Sequence, residues 1–355
     1  MLDPGSLMAT TQVTRVLTAI RNLLSQGRPT RLRKLIDTSA AETRLREHLT
    51  YAASWSDTVS IDPKALPRYL SDIYVDVDLA LAVHDNRALS TPLRTVNDLH
   101  RFEDSFTLLG EPGAGKTTAV KHLLSRRLHE LAAGTRLPIV VPLRALQPPE
   151  TLIEHLCSIL GIYVNLIRAD HASLLRRTQL QTVADILAQS TAIVFLDGLD
   201  EVPTPFRPTI VEDIALLIRS CPHAQFVVTC RTAAYSVDLP DVVLLELKSL
   251  RRKQARQIAT KWLSRRETIR FFRQLMQTPY SGAELRPLVL SVLLLLYLRQ
   301  RDIPKRPKTV YERIIRLYDI LHMLTSLRIE RRSSSRPLRF GLRQQALSVT
   351  SVMAI

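Results

Sequence analysis

Apolar positions along this chain fall into three regimes. Between residues 11 and 55 they recur three and four apart, in TQVTRVLTAIRNLL, TRLRKLI and AAETRLREHLTYAAS, a spacing that predicts short amphipathic helices. Residues 56–100 are mixed, and DIYVDVDLAL at 72–81 alternates in a way that fits either an exposed strand or the start of a helix. From residue 105 short apolar runs take over: FTLL at 106–109, LPIVV at 137–141, AIVFL at 192–196, QFVVT at 225–229 and VVLLEL at 242–247. Helical patterns such as TLIEHLCSIL, LQTVADILAQ and IVEDIALLIRS separate them. Apolar strands alternating with amphipathic helices predict an α/β fold with a parallel sheet covered by helices on both faces, three layers in all. After Lys248 the pattern is helical through RKQARQIATKWLSRR, ELRPLVLSVLLLLYLRQ and TVYERIIRLYDILHMLTSL, and beyond about Arg331 it fades. The expected organisation is a helical region at 1–94, a nucleotide-binding domain at 95–248, a small helical domain at 249–328 and a loose tail at 329–355.

Composition narrows this picture only at its edges. The chain has 355 residues, enough for two or three modest domains, and 46% hydrophobic with 23% charged residues marks a globular protein. Its longest apolar stretch, Pro287 to Leu298, is well short of the ~20 residues that span a bilayer, so a buried helix is expected there rather than a transmembrane segment. Cys157, Cys221 and Cys230 lie far apart with no CxxC spacing, and the start of the chain lacks a basic, apolar leader; both point to a reducing cytoplasm. The formal charge of +16 is uneven: from Arg251 onward there are 23 Lys+Arg against 6 Asp+Glu. A basic C-terminal third could draw nucleic acid or an anionic membrane surface. Against that, 40 of the 49 basic residues are Arg, a bias that Arg-rich codon usage could produce alone. No helix-turn-helix, zinc finger or aromatic stacking motif accompanies the charge.

The chemistry sits at three strand ends. Residues 110–118, Gly-Glu-Pro-Gly-Ala-Gly-Lys-Thr-Thr, follow the strand FTLL and precede the helical TTAVKHLLSRRLHEL, the context of a phosphate-binding P-loop. Small residues at Gly110, Gly113, Ala114 and Gly115, with Glu111 and Pro112 in the turn, let backbone N–H groups converge on phosphate oxygens at a helix N-terminus. Lys116 is expected on the β- and γ-phosphates, the Thr117 hydroxyl on Mg²⁺, and Thr118 in the first turn of the helix. Ile193 to Glu201, IVFLDGLDE, ends an apolar strand in Asp197, placed to hold Mg²⁺ directly or through a water. Asp200 and Glu201 follow where a carboxylate could polarise the attacking water. The third strand, FVVTCR, ends in Arg231, which either approaches the γ-phosphate or caps a strand.

Together GEPGAGKTT, LDGLDEV and VVTCR resemble the NACHT branch of the STAND class of P-loop NTPases, relatives of the AAA+ proteins. LLELKSLRRKQARQIATKWL, ELRPLVLSVLLLLYL and VYERIIRLY extend the resemblance over about residues 95–325. It implies ATP/ADP rather than GTP as ligand, slow hydrolysis that times a switch, and a contact between Pro287 and the adenine base. It also implies nucleotide-dependent self-association, an N-terminal effector and a C-terminal sensor; bacterial relatives act against phage. This chain departs from the pattern in having no repeat sensor and a winged-helix region cut short. It is therefore expected to be truncated, or to rely on a protein partner for sensing. Two other readings stand beside the signalling ATPase: an AAA+-like ATPase gripping nucleic acid, and a fragment that binds nucleotide without switching.

Overall fold

A computed structural model describes residues 18, 38–59, 67–82, 93–130, 136–162, 172–281, 285–306 and 309. The expected helices at 11–24 (residue 18 apart) and 30–36, the segment VYERIIRLY and the tail at 329–355 lie outside the described residues. The chain divides into two units, residues 1–58 with 76–248, and residues 59–75 with 249–355.

The first unit is built on a six-stranded sheet. Its strands are β1 (Leu79–Leu81), β2 (Phe106–Gly110), β3 (Pro138–Pro142), β4 (Ile193–Asp197), β5 (Gln225–Arg231) and β6 (Val243–Leu247). They lie in the order β1-β6-β2-β5-β4-β3, with β2 to β6 parallel. β1 is the exception: it pairs with β6 antiparallel, Leu79 opposite Leu247, so the sheet is mixed rather than wholly parallel. The ambiguous stretch at 72–81 resolves into both of its alternatives, one helical turn at Leu70–Ile73 and the strand β1.

Every residue of β2, β3 and β4 is buried, as expected of strands covered on both faces. One face packs Ile139, Val141, Val194, Leu196, Phe226 and Val228 against helices α3 (Leu152–Ile159), α4 (Ala172–Gln189) and α5 (Arg207–Ser220). By alternation Val140, Phe195 and Val227 point to the other face. That face is covered by α2 (Lys116–His129), which buries Ala119, Val120, Leu123 and Leu124. Each fully buried large side chain, Phe106, Phe195 or Phe226, removes enough apolar surface from water to contribute about 1.5–3 kcal/mol.

The preceding helix, α1 (Thr38–Asp57), packs on this unit along one stripe, Ala41, Leu45, His48, Leu49 and Ala52. β3 is an edge strand, and its free backbone edge needs a partner. His48 supplies one: its Nε2 accepts the Val140 N–H at 3.2 Å. Burial pushes the His48 imidazole down to about 4, keeping it neutral and able to accept.

In the second unit, α6 (Arg252–Thr260), α7 (Arg265–Leu275) and α8 (Pro287–Gln300) pack around Phe271, whose ring meets those of Phe272 and Tyr297 edge-on at 5.4 Å each. Ser264 and Glu267 form a capping box that starts α7. Pro287 opens α8, where its missing N–H costs nothing. The apolar run it begins is a helix burying Leu290, Leu293, Leu294 and Leu296, and no helix among the described residues is long and apolar enough to cross a membrane.

Candidate nucleotide site

The parallel register brings the three strand ends together. Gly110, at the end of β2, lies opposite Arg231 on β5, and Asp197, at the end of β4, lies opposite Pro142 on β3. β5 runs between β2 and β4, so the P-loop and the acidic strand end meet across it.

The P-loop turns through two glycines, Gly113 at φ 76° and Gly115 at φ 98°, conformations a side chain would strain. Gly110 is also tightly packed, since an added Cβ would stand 3.1 Å from that of Ala114, which would have to give by a few tenths of an ångström. Glu111 is exposed and Pro112 half-buried, and the Glu111 carbonyl accepts the Ala114 N–H at 3.0 Å to close the turn. Lys116 and Thr117 open α2, with Thr118 half-buried beside them. The Lys116 ammonium turns back into the loop, donating to the Gly110 carbonyl at 2.6 Å and the Glu111 carbonyl at 3.3 Å. Burial draws its pKa below the usual lysine range, while Asp200 and Asp197 pull the other way.

Asp197 is 6% exposed and accepts two hydroxyls. Thr117 donates at 2.9 Å to Oδ2, and Thr229 donates at 2.7 Å to Oδ1. Thr229 in turn accepts the Gly198 N–H at 2.8 Å, which fixes its proton toward the carboxylate. Burial raises the Asp197 pKa above the ordinary carboxylate range, and the Thr229 and Thr117 hydroxyls partly offset it.

The two acids beyond Asp197 are engaged differently. Asp200 holds Arg231 twice, through Nε at 2.7 Å and the backbone N–H at 3.0 Å. Glu201 instead faces Arg144, whose guanidinium lies 3.5 Å from Oε2. Burial raises the Glu201 pKa, Arg144 lowers it, and Asp197 and Asp200 raise it again. Of the expected site residues, Gly110 through Thr118, Asp197, Asp200, Glu201 and Arg231 are thus gathered at one end of the sheet. Pro287 belongs to the second unit, at the start of α8.

Residues 104–266 match the family model described as the NACHT domain. This segment is a NACHT domain, a P-loop NTPase module. Among solved structures the chain is similar to a Walker-type ATPase of Pyrococcus abyssi, at 14% identity over 67% of this chain and 74% of that one, with a TM-score of 0.36. It is also similar to the Aeropyrum pernix Orc1 protein in complex with DNA, at 18% identity over 61% and 63% of the two chains, with a TM-score of 0.41. No curated protein matches the chain.

The donor set of this NACHT domain suits Mg²⁺. Thr117 and Asp197 offer hard oxygen ligands on adjoining elements, the kind of partial site that phosphate oxygens and waters complete. Among the described residues no group of three or more His, Cys, Asp and Glu forms an all-protein metal cage. Two partners in the site are given no role by the sequence reading. Thr229 is a hydroxyl between the buried Val228 and Cys230 of β5, two residues before Arg231 and on the same strand face. That polar break in VVTCR is the signal that marks it. Arg144 follows LPIVVPL with nothing local to set it apart from the chain's many arginines.

Proposed function

We propose that the chain is a nucleotide-operated signalling switch that binds ATP with Mg²⁺, hydrolyses it slowly in the cytoplasm, and self-associates in the ATP form. The observation that carries this reading is the Thr117–Asp197 hydrogen bond, which joins residues 80 positions apart at the mouth of a P-loop. In the proposed mechanism the backbone N–H groups of residues 113–118 and the positive end of α2 hold the phosphates. Lys116 exchanges its carbonyl partners for β- and γ-phosphate oxygens. Thr117 and Asp197 hold Mg²⁺, which, when bound, supplies charge neutralisation on the phosphates. The Glu201 carboxylate accepts the proton of a water that attacks the γ-phosphorus. The bond to the bridging oxygen breaks, leaving ADP and inorganic phosphate. Asp200 keeps Arg231 in place, and a γ-phosphate competes with Asp200 for its guanidinium, so Arg231 reports whether that group is present. Following the resemblance, Pro287 contacts the adenine, sensing rests on a protein partner, and the setting is bacterial defence against phage.

The test is light scattering of the purified chain. ATP with Mg²⁺ should yield a larger species and ADP should not, with Lys116→Ala abolishing the shift. Asp197→Ala should lose the Mg²⁺-dependent part of ATP affinity. Tight ADP binding with no assembly and no turnover would leave only a nucleotide-binding fragment. A second reading rests on exposed Arg252 and Arg256 of α6 and Arg266, Arg270 and Arg273 of α7, a basic surface that suits nucleic acid. DNA-stimulated hydrolysis that collapses steeply with salt would favour it.

A further inference from the structure

We infer that Arg144 is a positioning residue for hydrolysis, holding the Glu201 carboxylate where it takes a proton from the attacking water. The inference rests on the ATPase reading above and adds to it a residue outside the three strand-end motifs.

Three observations place Arg144. It sits in a single helical turn, Leu143–Ala145, that directly follows β3, whose last residue Pro142 is level with Asp197. Leu143 and Leu146 on either side of it are buried at 0% and 2% exposure, so they anchor the turn while the Arg144 side chain, 47% exposed, projects from it. The guanidinium then meets Glu201 at 3.5 Å, and its charge is also felt by Asp197 and by Tyr51 of α1.

Glu201 needs such a partner. It lies on the turn Leu199–Glu201, folded over Gly198 so closely that a Cβ there would stand 3.1 Å from its Cδ. The site already holds the carboxylates of Asp197 and Asp200. Of the neighbouring guanidiniums, that of Arg231 bonds Asp200 through Nε at 2.7 Å, and that of Arg207 donates to the Asp200 and Val202 carbonyls at 2.9 and 3.1 Å. Arg144 is thus the cation that orients Glu201 and keeps it an acceptor, and a general base displaced from its water by even an ångström loses most of its effect.

The experiment measures ATP turnover and ATP affinity for the full chain carrying Arg144→Ala, Arg144→Lys, Glu201→Gln and the Arg144→Ala/Glu201→Gln pair. Arg144→Ala is expected to lower kcat about 10- to 100-fold while ATP affinity stays within about two-fold. Arg144→Lys should recover part of the loss, because a point cation at this single contact restores charge without the planar fork. In the Glu201→Gln background, Arg144→Ala should cost less than about two-fold more, since the two act as one unit. Independent, multiplicative losses would overturn the inference, as would unchanged kcat. A drop of about ten-fold or more in ATP affinity would also overturn it, by making Arg144 a phosphate contact. A wild-type chain with no turnover refutes the proposed ATPase instead. The pair is then judged by a denaturant double-mutant cycle, in which absence of coupling between Arg144→Ala and Glu201→Gln overturns the inference and measurable coupling supports only the orienting contact on which it rests.

Discussion

Replacing Thr229 by Val tests the arrangement around Asp197 without changing volume. The hydroxyl does two jobs at once, donating to Asp197 at 2.7 Å and accepting the Gly198 N–H at 2.8 Å, and Thr229 itself is 1% exposed. A hydrogen bond to a charged group contributes about 1.5–3 kcal/mol, and leaving a buried N–H without an acceptor costs about 1–3 kcal/mol more. Val keeps the shape, so no cavity cost is added, and the expected loss is about 3 kcal/mol. For a domain whose whole stability is about 5–15 kcal/mol, that is readily measured as a shifted denaturant midpoint at unchanged slope. Thr229→Ser retains the hydroxyl and should lose much less, chiefly for the missing methyl. A Val variant within about 1 kcal/mol of wild type, or a Ser variant as damaged as Val, would show that this hydroxyl does not hold the carboxylate.

Three further outcomes follow from the same structure. Gly161 has φ 67°, and a Cβ there would lie 2.3 Å from the Ala41 Cα, so Gly161→Ala should destabilise the first unit by about 3 kcal/mol or more in denaturant titrations; a loss under about 1 kcal/mol would contradict the close approach of α1. His48, pushed down to about 4, favours folding fully above its unfolded value near 6.5; as pH falls from 6.5 to 4 that contribution is lost at about 1.4 kcal/mol per unit, about 3 kcal/mol in all. The stability difference between wild type and His48→Leu should therefore shrink as pH drops from 7 to 5, and a constant difference would refute the neutral-acceptor role. The Asp213 side chain is fully buried and accepts the Ile153 N–H at the start of α3 at 3.2 Å and Arg176 at 2.8 Å. Asp213→Ala should cost about 3 kcal/mol by equilibrium unfolding, with Arg176→Ala costing less because Arg176 remains part-solvated.

What the sequence makes legible is what is local. Each of the five apolar runs lies within a residue or two of a strand, because burial on both faces demands a continuous apolar stretch. GEPGAGKTT identifies itself because loop, lysine and helix start all fall within nine residues. Strand order is not local: nothing in QFVVT says that β5 runs between β2 and β4, yet that placement is what lets Thr229 reach Asp197. The spacing in AAETRLREHLTYAAS reveals that α1 has a buried face, but not that His48 on that face closes the open edge of β3. Likewise DIYVDVDLAL carries alternation without length, and only pairing with β6 makes its last three residues an antiparallel strand.

The Lys116 ammonium, bonded to two carbonyls of its own loop, ties the helix start back to the end of β2. In the proposed switch the loop's backbone N–H groups and Lys116 address phosphate oxygens common to ATP and ADP. If that switch operates, telling three phosphates from two falls to the strand ends beyond the loop, and substitutions there should alter the ATP-to-ADP preference while leaving affinity for ADP nearly intact.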